Sequence, residues 1–306
     1  MTDKSWGRLP FPAAVRTLNR DWRFESLPDI AAADSLLAYG RGRSYGDSCL
    51  NSGASVLGTQ SLRRFIQFDS ERGVLHCEAG VTLDEILQLI VPRGWFLPVV
   101  PGTRFITLGG AIANDVHGKN HHVAGSFGCH VLSLGLLRSD GSRLDCTAED
   151  SAGLFAATIG GLGLTGLITD ARIQLLPIRS DAMELEDVCF SSLQEFTHLS
   201  LDSADWDYTV SWIDTFRRPG HSLRGIFSRG RHAAQPGPLQ PGPSRPRLNT
   251  PFAPPLSLSL VNSMTVNLFN RAYFSAGRLR ERRGRRQGHF QPFFFPLDSI
   301  DHWNRV

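Results

Sequence analysis

Between Pro101 and Gly128 the chain reads PGTRFITLGGAIANDVHGKNHHVAGSFG, with six glycines set among polar and ionisable residues. Glycine at this density lets the backbone take positive φ and approach another group closely. The pair Gly109-Gly110 opens a short apolar step, Ala111, Ile112 and Ala113. Asn114, Asp115, Val116, His117, Gly118, Lys119, Asn120, His121 and His122 follow it. A run so polar in the middle of a globular pattern is either a long surface loop or a ligand cradle. The order of the flanking segments favours the cradle.

Upstream, GRGRSYGDSCLNSGAS at 40–55 has no helical or strand period and reads as a loop, preceded by a short element over Ala31–Tyr39. Val74–Ala79 reads as a strand between Gly73 and Gly80. Thr82 is placed to cap a helix with Leu83, Ile86, Leu87 and Ile90 on one face and Gly94 as its stop. Trp95–Val100 reads as an apolar strand running into the glycine stretch. Downstream, Val131–Arg138, a Ser139–Ser142 turn and Arg143–Cys146 give a hairpin. A helix capped by Asp150 or Ser151 runs through Ile159, and Leu167–Leu176 is a strand ending at Pro177. Strands and helices mix without strict βαβ alternation, so the class is α+β.

A second unit begins near Ile178, with strands expected over Val188–Phe190, Tyr208–Ile213 and Leu223–Ser228 and a helix over Ser192–Ser200. Residues 236–255 hold eight prolines and read as an extended linker or mobile loop. The chain stops inside what reads as a fresh helix, Ser299–Val306, so the second unit is expected to be incomplete.

At 306 residues, 41% hydrophobic and 20% charged, the chain has room for two domains. A net charge of +3 is too mild to imply nucleic acid. No apolar run approaches the roughly 20 residues that span a bilayer, and the N-terminus lacks the apolar core of a signal peptide. Five scattered cysteines without a CxxC spacing point to reduced thiols in a cytoplasmic setting.

Three patterns invite other readings. GLGLTG at 161–166 matches GxGxxG, but a helix precedes it and a strand follows, the reverse of the order that carries a nicotinamide dinucleotide. It reads as a tight helix-to-strand turn. His117 and His121 have the i, i+4 spacing of a metal pair, against which stand the poor helix formers between them and the charge of Lys119. A metal, a solvated loop and an anionic or aromatic cofactor all remain open for this segment. The arginines at 278, 280, 282, 283, 285 and 286 read as a solvated or disordered basic patch, or as contact for a phosphate-bearing substrate or anionic membrane. Phe293–Phe295 reads as core.

With both glycine loops placed, GRGRSYGD at 40–47, the 101–131 segment and GGLGLTGLI at 160–168 resemble the PCMH-type flavin-binding domain of the vanillyl-alcohol-oxidase superfamily. Within it the chain is most similar to the decaprenylphosphoryl-β-D-ribose 2-oxidase family of bacterial cell-wall arabinan synthesis. The resemblance implies a two-subdomain FAD-binding domain over 8–178 and a partial substrate domain over 179–306. It implies that Gly40, Arg41, Gly42, Arg43, Ser44, Tyr45, Gly46 and Asp47, with Gly102, Thr107, Leu108, Gly109 and Gly110, wrap the FAD pyrophosphate. Asn114, Asp115, Val116 and His117 would run beside the isoalloxazine ring, and Leu167-Ile168 would hold FAD through the main chain. Arg43 stands where relatives that bond flavin covalently often carry histidine, so FAD is expected to be non-covalent.

The chemistry implied is oxidation of a sugar's secondary alcohol by hydride transfer to flavin N5, with His117 and Lys119 as the catalytic candidates. The implied substrate is a sugar or polyprenyl-phosphoryl sugar, with a short-chain reductase partner and a peripheral membrane contact. An alditol or aldonolactone oxidase, or an inactive FAD-binding fragment, are the alternatives. The resemblance implies that the family's substrate-site lysine and tyrosine, and its active-site cysteine, fall beyond Val306.

Overall fold

The computed structural model describes residues 5–6, 16–28, 35–149, 153–216, 223–243 and 262–299. It has two compact units, the first holding the residues up to Gly118 together with Ala124–Pro177. The second holds Lys119–Val123 and the chain from Ile178 onward. The segment Lys119–Val123, expected inside the first domain, therefore packs with the second.

The first unit contains two larger sheets and one two-stranded pair. Strands β1 (Arg16–Asn19), β2 (Leu36–Tyr39) and β3 (Ser55–Gly58) pair in parallel in the order β1-β3-β2, with Arg16 and Leu36 both opposite Ser55. The middle strand is buried on both faces, which is why SVLG shows no alternation. Then come β4 (Phe65–Asp69), β5 (Val74–Glu78), helix α1 (Leu83–Ile90), the two-residue β6 (Trp95–Phe96) and α2 (Leu108–Ala113). After a single-turn α3 (His121–Ala124) follow β7 (Val131–Leu137), β8 (Arg143–Thr147), α4 (Leu154–Thr158), β9 (Leu167–Gln174) and β10 (Leu176–Pro177).

The second sheet is antiparallel, in the order β4-β5-β9-β7-β8. The expected hairpin is its β7–β8 edge, with Leu137 opposite Arg143. Leu57 of β3, Leu137 of β7 and Leu167 of β9 are buried together, with Leu18, Leu36 and Ala38 packed against them, so one apolar cluster joins the two sheets of this unit.

Helix α1 begins in a reciprocal cap. Thr82 Oγ1 accepts from Glu85 N at 3.2 Å while Glu85 Oε2 accepts from Thr82 N at 2.9 Å. Its Leu83, Ile86, Leu87 and Ile90 are buried as the spacing predicts, each worth about 1.5–3 kcal/mol of transfer free energy. The apolar run 95–100 forms a strand only over Trp95–Phe96, where Leu176 and Pro177 offer partners. The expected caps Asp150 and Ser151 of α4, the start of the element at 31–34, residues 8–15 and the helix over 300–306 lie outside the described residues.

In the second unit β11 (Ala182–Phe190), α5 (Leu193–Leu201), β12 (Tyr208–Ile213), β13 (Gly225–His232), α6 (Ser263–Arg283), β14 (Arg286–His289) and α7 (Phe290–Phe294) follow in order. The sheet is antiparallel, β12-β13-β11-β14, and α6 lies on β11 and β13. β11 is longer than the expected Val188–Phe190 because Glu184 and Glu186 alternate along one face and meet Arg231 and Arg229, their register partners on β13, at 2.8 Å each.

The arginine run is not a disordered patch. Arg280 and Arg286 reach buried Asp187 at 2.6 and 3.2 Å, and Arg285 reaches Glu184 and Glu186 at 3.5 and 3.6 Å. Nor is the start of the proline-rich segment a free linker. Asp181 N donates to Pro238 O, Gln240 N donates to Asp181 Oδ2, and Gln291 Nε2 donates to Pro243 O, all at 2.8–2.9 Å. The rest of that segment, 244–255, lies outside the described residues. Phe294 and Phe295 are core, as expected.

Candidate functional site

Around α2 the three glycine-rich segments of the first unit come together. Thr107 starts the helix by accepting from Gly110 N through its Oγ1 at 3.1 Å. The same oxygen lies 2.7 Å from where a Cβ at Gly40 would sit, so the 40–47 loop touches the 102–110 loop through a contact that only glycine fits. At the other end of α2 the carbonyls of Ile112 and Ala113 accept from Gly160 N at 3.0 Å and Leu162 N at 2.8 Å. The GLGLTG turn is thereby tied to the helix, between α4 and β9 as its sequence context required.

The 40–47 loop turns its carbonyls to protein. Gly40 O accepts from Gln60 Nε2 at 2.9 Å, Ser44 O from Trp6 N at 3.0 Å, Tyr45 O from Ser48 Oγ at 3.2 Å, and Asp47 O from Leu50 N at 2.7 Å. Gly42 and Gly46 take φ of 61° and 60°, left-handed values that let the loop turn sharply at both positions. A Cβ at Gly46 or Gly102 would meet nothing within 4 Å, so the backbone at both borders open space. Arg41 also bonds Gln60, at 3.4 Å, and the Arg43 guanidinium lies over the rings of Trp6 and Phe105, 5.0 and 6.0 Å from their centroids. Room, amides and cationic side chains are what a dinucleotide's phosphates need.

The side chains of several expected site residues face inward. Leu108 is fully buried, Gly109 backs onto Ala79, and Thr107 is 2% exposed. Leu167 and Ile168 are buried in β9 opposite Leu137 and Leu136. Their side chains belong to the core because a helix N-terminus and a central strand must bury them. Asn114 spends its amide on Gly110 O at 2.9 Å. Asp115 bonds Gly128 N at 2.8 Å, Val116 O accepts from Phe127 N at 2.8 Å, and His117 bridges to Ser126.

Arg104 is a residue the sequence reading passed over. It is 2% exposed and pairs with Asp84 at 3.0 Å, while its carbonyl accepts from Asp84 N at 2.9 Å. With Leu83 N bonded to Ile106 O and Leu108 N to Val81 O, it stitches the 102–110 loop along the start of α1. A buried arginine in a glycine loop has no local signature, since its partner lies in another element.

Lys119 belongs to the second unit, where its Nζ donates to Phe293 O and sits 4.4 Å from the centroid of the Phe293 ring. Burial pushes its pKa down to about 8, because the charged ammonium loses hydration there. Thr209 N donates to Lys119 O at 2.8 Å, and His122 Nε2 meets Trp206 O at 3.2 Å. His117 is counted with the first unit, so the two catalytic candidates stand on different units. Among the described residues no group of three or more His, Cys, Asp or Glu side chains is placed to hold a metal. None of their helices is long and apolar enough to cross a membrane.

Residues 30–147 match the family model described as an FAD binding domain. The chain is 36% identical over 282 residues to a decaprenylphosphoryl-beta-D-ribose oxidase of Mycolicibacterium smegmatis, an alignment covering 89% of this chain and 60% of that protein. It is 27% identical to the human delta(24)-sterol reductase over 46% of this chain and 28% of the relative. It is also 27% identical to a putative D-arabinono-1,4-lactone oxidase of Neurospora crassa over 56% of this chain and 34% of the relative. The chain thus spans well under two thirds of the length of the curated relatives it matches. The cofactor of its first unit is FAD.

Proposed function

We propose, for a chain that belongs through its FAD binding domain to the PCMH-type flavoproteins, that it oxidises a secondary alcohol of a sugar, with a polyprenyl-phosphoryl ribose as substrate. The observation that carries the reading is the meeting of three glycine segments around α2, with backbone at Gly46 and Gly102 open to a ligand. When bound, FAD supplies an acceptor for the two electrons that leave the alcohol carbon. The protein's part is to hold the cofactor, place the substrate and handle its hydroxyl proton.

The amides of 40–47 and the open backbone at Gly102 would hold the pyrophosphate. Arg43 offers no atom for a covalent flavin bond, so the cofactor is non-covalent. His117 and Lys119 are the proposed proton-handling groups. A lysine whose pKa lies near 8 holds an appreciable neutral fraction close to neutrality and can accept a proton at Nζ. The keto sugar produced is the substrate of a reductase, and a short-chain reductase fits that role as partner. A polyprenyl tail on the substrate would bring the protein to a membrane surface.

The test is spectroscopic. The purified protein should carry a flavin spectrum, lose its flavin on acid precipitation, and be bleached anaerobically by a polyprenyl-phosphoryl ribose. Bleaching by xylitol or an aldonolactone instead would move the assignment to the alditol and lactone oxidases. A colourless chain that FAD cannot reconstitute would reject the reading.

A further inference from the structure

We propose that Asp115 is a positioning residue, a clamp that ties the end of α2 to the turn at 126–128 through its side chain rather than a group that touches the cofactor. The proposal rests on the flavin reading above. Asp115 follows α2 directly and takes φ of 41°, one of two non-glycine residues with positive φ among those described. Aspartate tolerates this left-handed conformation better than most residues, because its short side chain can bond nearby backbone. Here its N–H still donates to Ile112 O at 3.0 Å, closing the helix, while the chain turns away.

The carboxylate is spent inside the protein. Its Oδ1 accepts from Gly128 N at 2.8 Å, bridging thirteen residues of chain. Between those two points Val116 N returns to Ala111 O at 3.1 Å, Phe127 N donates to Val116 O, and His117 pairs with Ser126. The bridged segment that presents His117 is therefore closed by the Asp115–Gly128 bond at its base.

The third loop meets the same side chain. A Cβ at Gly160 would stand 3.4 Å from the Asp115 Cβ, and one at Gly128 would stand 2.9 Å from Asp115 Oδ1. At Gly128 the missing side chain leaves the space that Asp115 Oδ1 occupies, and at Gly160 Asp115 lies within ordinary contact distance. Gly160 N and Leu162 N bond the last carbonyls of α2, so the 160–163 turn is tied to the end of the helix, and the carboxylate ties that same end to Gly128. A side chain so placed sets where His117 and the turn at 160–163 stand.

Three variants separate the clamp from a direct ligand. Asp115→Asn keeps both the acceptor oxygen and the tolerance of positive φ. Asp115→Gly keeps only the backbone freedom, and Asp115→Ala keeps neither. FAD affinity, the flavin absorption bands and the melting temperature of the FAD-free chain are measured for each.

The clamp predicts that Asn binds FAD within about twofold of wild type with unchanged bands. Gly should weaken FAD about 5–10-fold, the range of one lost hydrogen bond. Ala should weaken it further, with the FAD-free melting temperature falling in the same order. If Asn loses FAD as badly as Ala and shifts the flavin bands while melting normally, the carboxylate charge contacts the cofactor and the proposal is wrong. Gly matching wild type in both affinity and melting also overturns it. Should the wild type take up no FAD, the flavin reading fails by itself, and the melting order of the FAD-free variants still decides the clamp.

Discussion

The first unit makes its site from backbone, and the second makes its structure from charge. In the first, the groups at the open face are amides and glycines, and ionic contacts serve to hold loops in place, as Arg104 does with Asp84. In the second, carboxylates and guanidinium groups alternate along β11, β13, α6 and β14, so that Glu184, Glu186 and Asp187 each meet two arginines. The difference is one of redundancy. A carboxylate shared between two arginines keeps a partner when one is lost, whereas Arg104 is the ion-pair partner of a nearly buried carboxylate. Backbone sites tolerate little movement, so the loops that form them need anchors of this single kind.

The largest effect is therefore expected at Arg104. Arg104→Ala would leave the Asp84 carboxylate buried without its ion-pair partner, at a cost of about 3–5 kcal/mol. That corresponds to a fall in melting temperature on the order of 10 °C, together with loss of FAD uptake as the 102–110 loop comes free of α1. Glu184→Gln in the second unit, where Arg231 and Arg285 are partly exposed, should cost less than about 1 kcal/mol. Differential scanning calorimetry of the two variants measures the contrast. Equal losses would show that the second unit depends on its ion pairs one by one.

How much of this was legible in the sequence follows from whether a signal is local. The Thr82 cap, the Ser139–Ser142 hairpin turn and the helix-before, strand-after context of GLGLTG are carried by residues within a few positions of each other, and each is present in the structure. Helix α6 gave no such signal. Over 21 residues it buries Asn270, Phe274 and Gly277, so no apolar stripe marks its inner face. Its arginines read as a solvated patch because their carboxylate partners lie some ninety residues earlier. The site divided in the same way. The glycine loops could be read from composition and resemblance, but the burial of Leu108 and Ile168, the Arg104–Asp84 pair and the turning of Asp115 onto Gly128 depend on which elements meet.

Titration sharpens the comparison further, because two bases whose pKa burial lowers belong to the second unit. Both ring nitrogens of His232 are shielded from solvent, and the ring lies against those of Tyr208 and Phe294. Burial pushes its pKa down to about 4. An unfolded histidine takes a proton near pH 6.5, so between that pH and 4 the unfolded chain binds more protons than the folded one, and stability falls as the solution is acidified. The loss is at most about 3 kcal/mol at pH 4, at about 1.4 kcal/mol per pH unit. Urea unfolding followed by a probe in the second unit, between pH 7 and 4, should show this loss in wild type and a flatter profile in His232→Gln. A profile unchanged by the substitution would place the acid sensitivity elsewhere.

Lys119 gives the opposite arm of the same curve and the smaller of the two titration effects. Its folded pKa of about 8 lies below the value near 10.4 of an unfolded lysine, so between these limits the unfolded chain again binds more protons. Stability contributed at this position therefore rises with pH above 8, by roughly 1–2 kcal/mol at pH 9.5. Lys119→Met keeps the aliphatic contact with the Phe293 ring and removes the titrating group. The variant should be more stable than wild type at pH 7, and the two should converge as the pH approaches 9.5. Convergence would tie the alkaline arm to burial of Lys119 beside the Phe293 carbonyl. A constant gap between the two curves would mean that the ammonium is solvated at every pH, and with it would go the argument that Lys119 can accept a proton near neutrality.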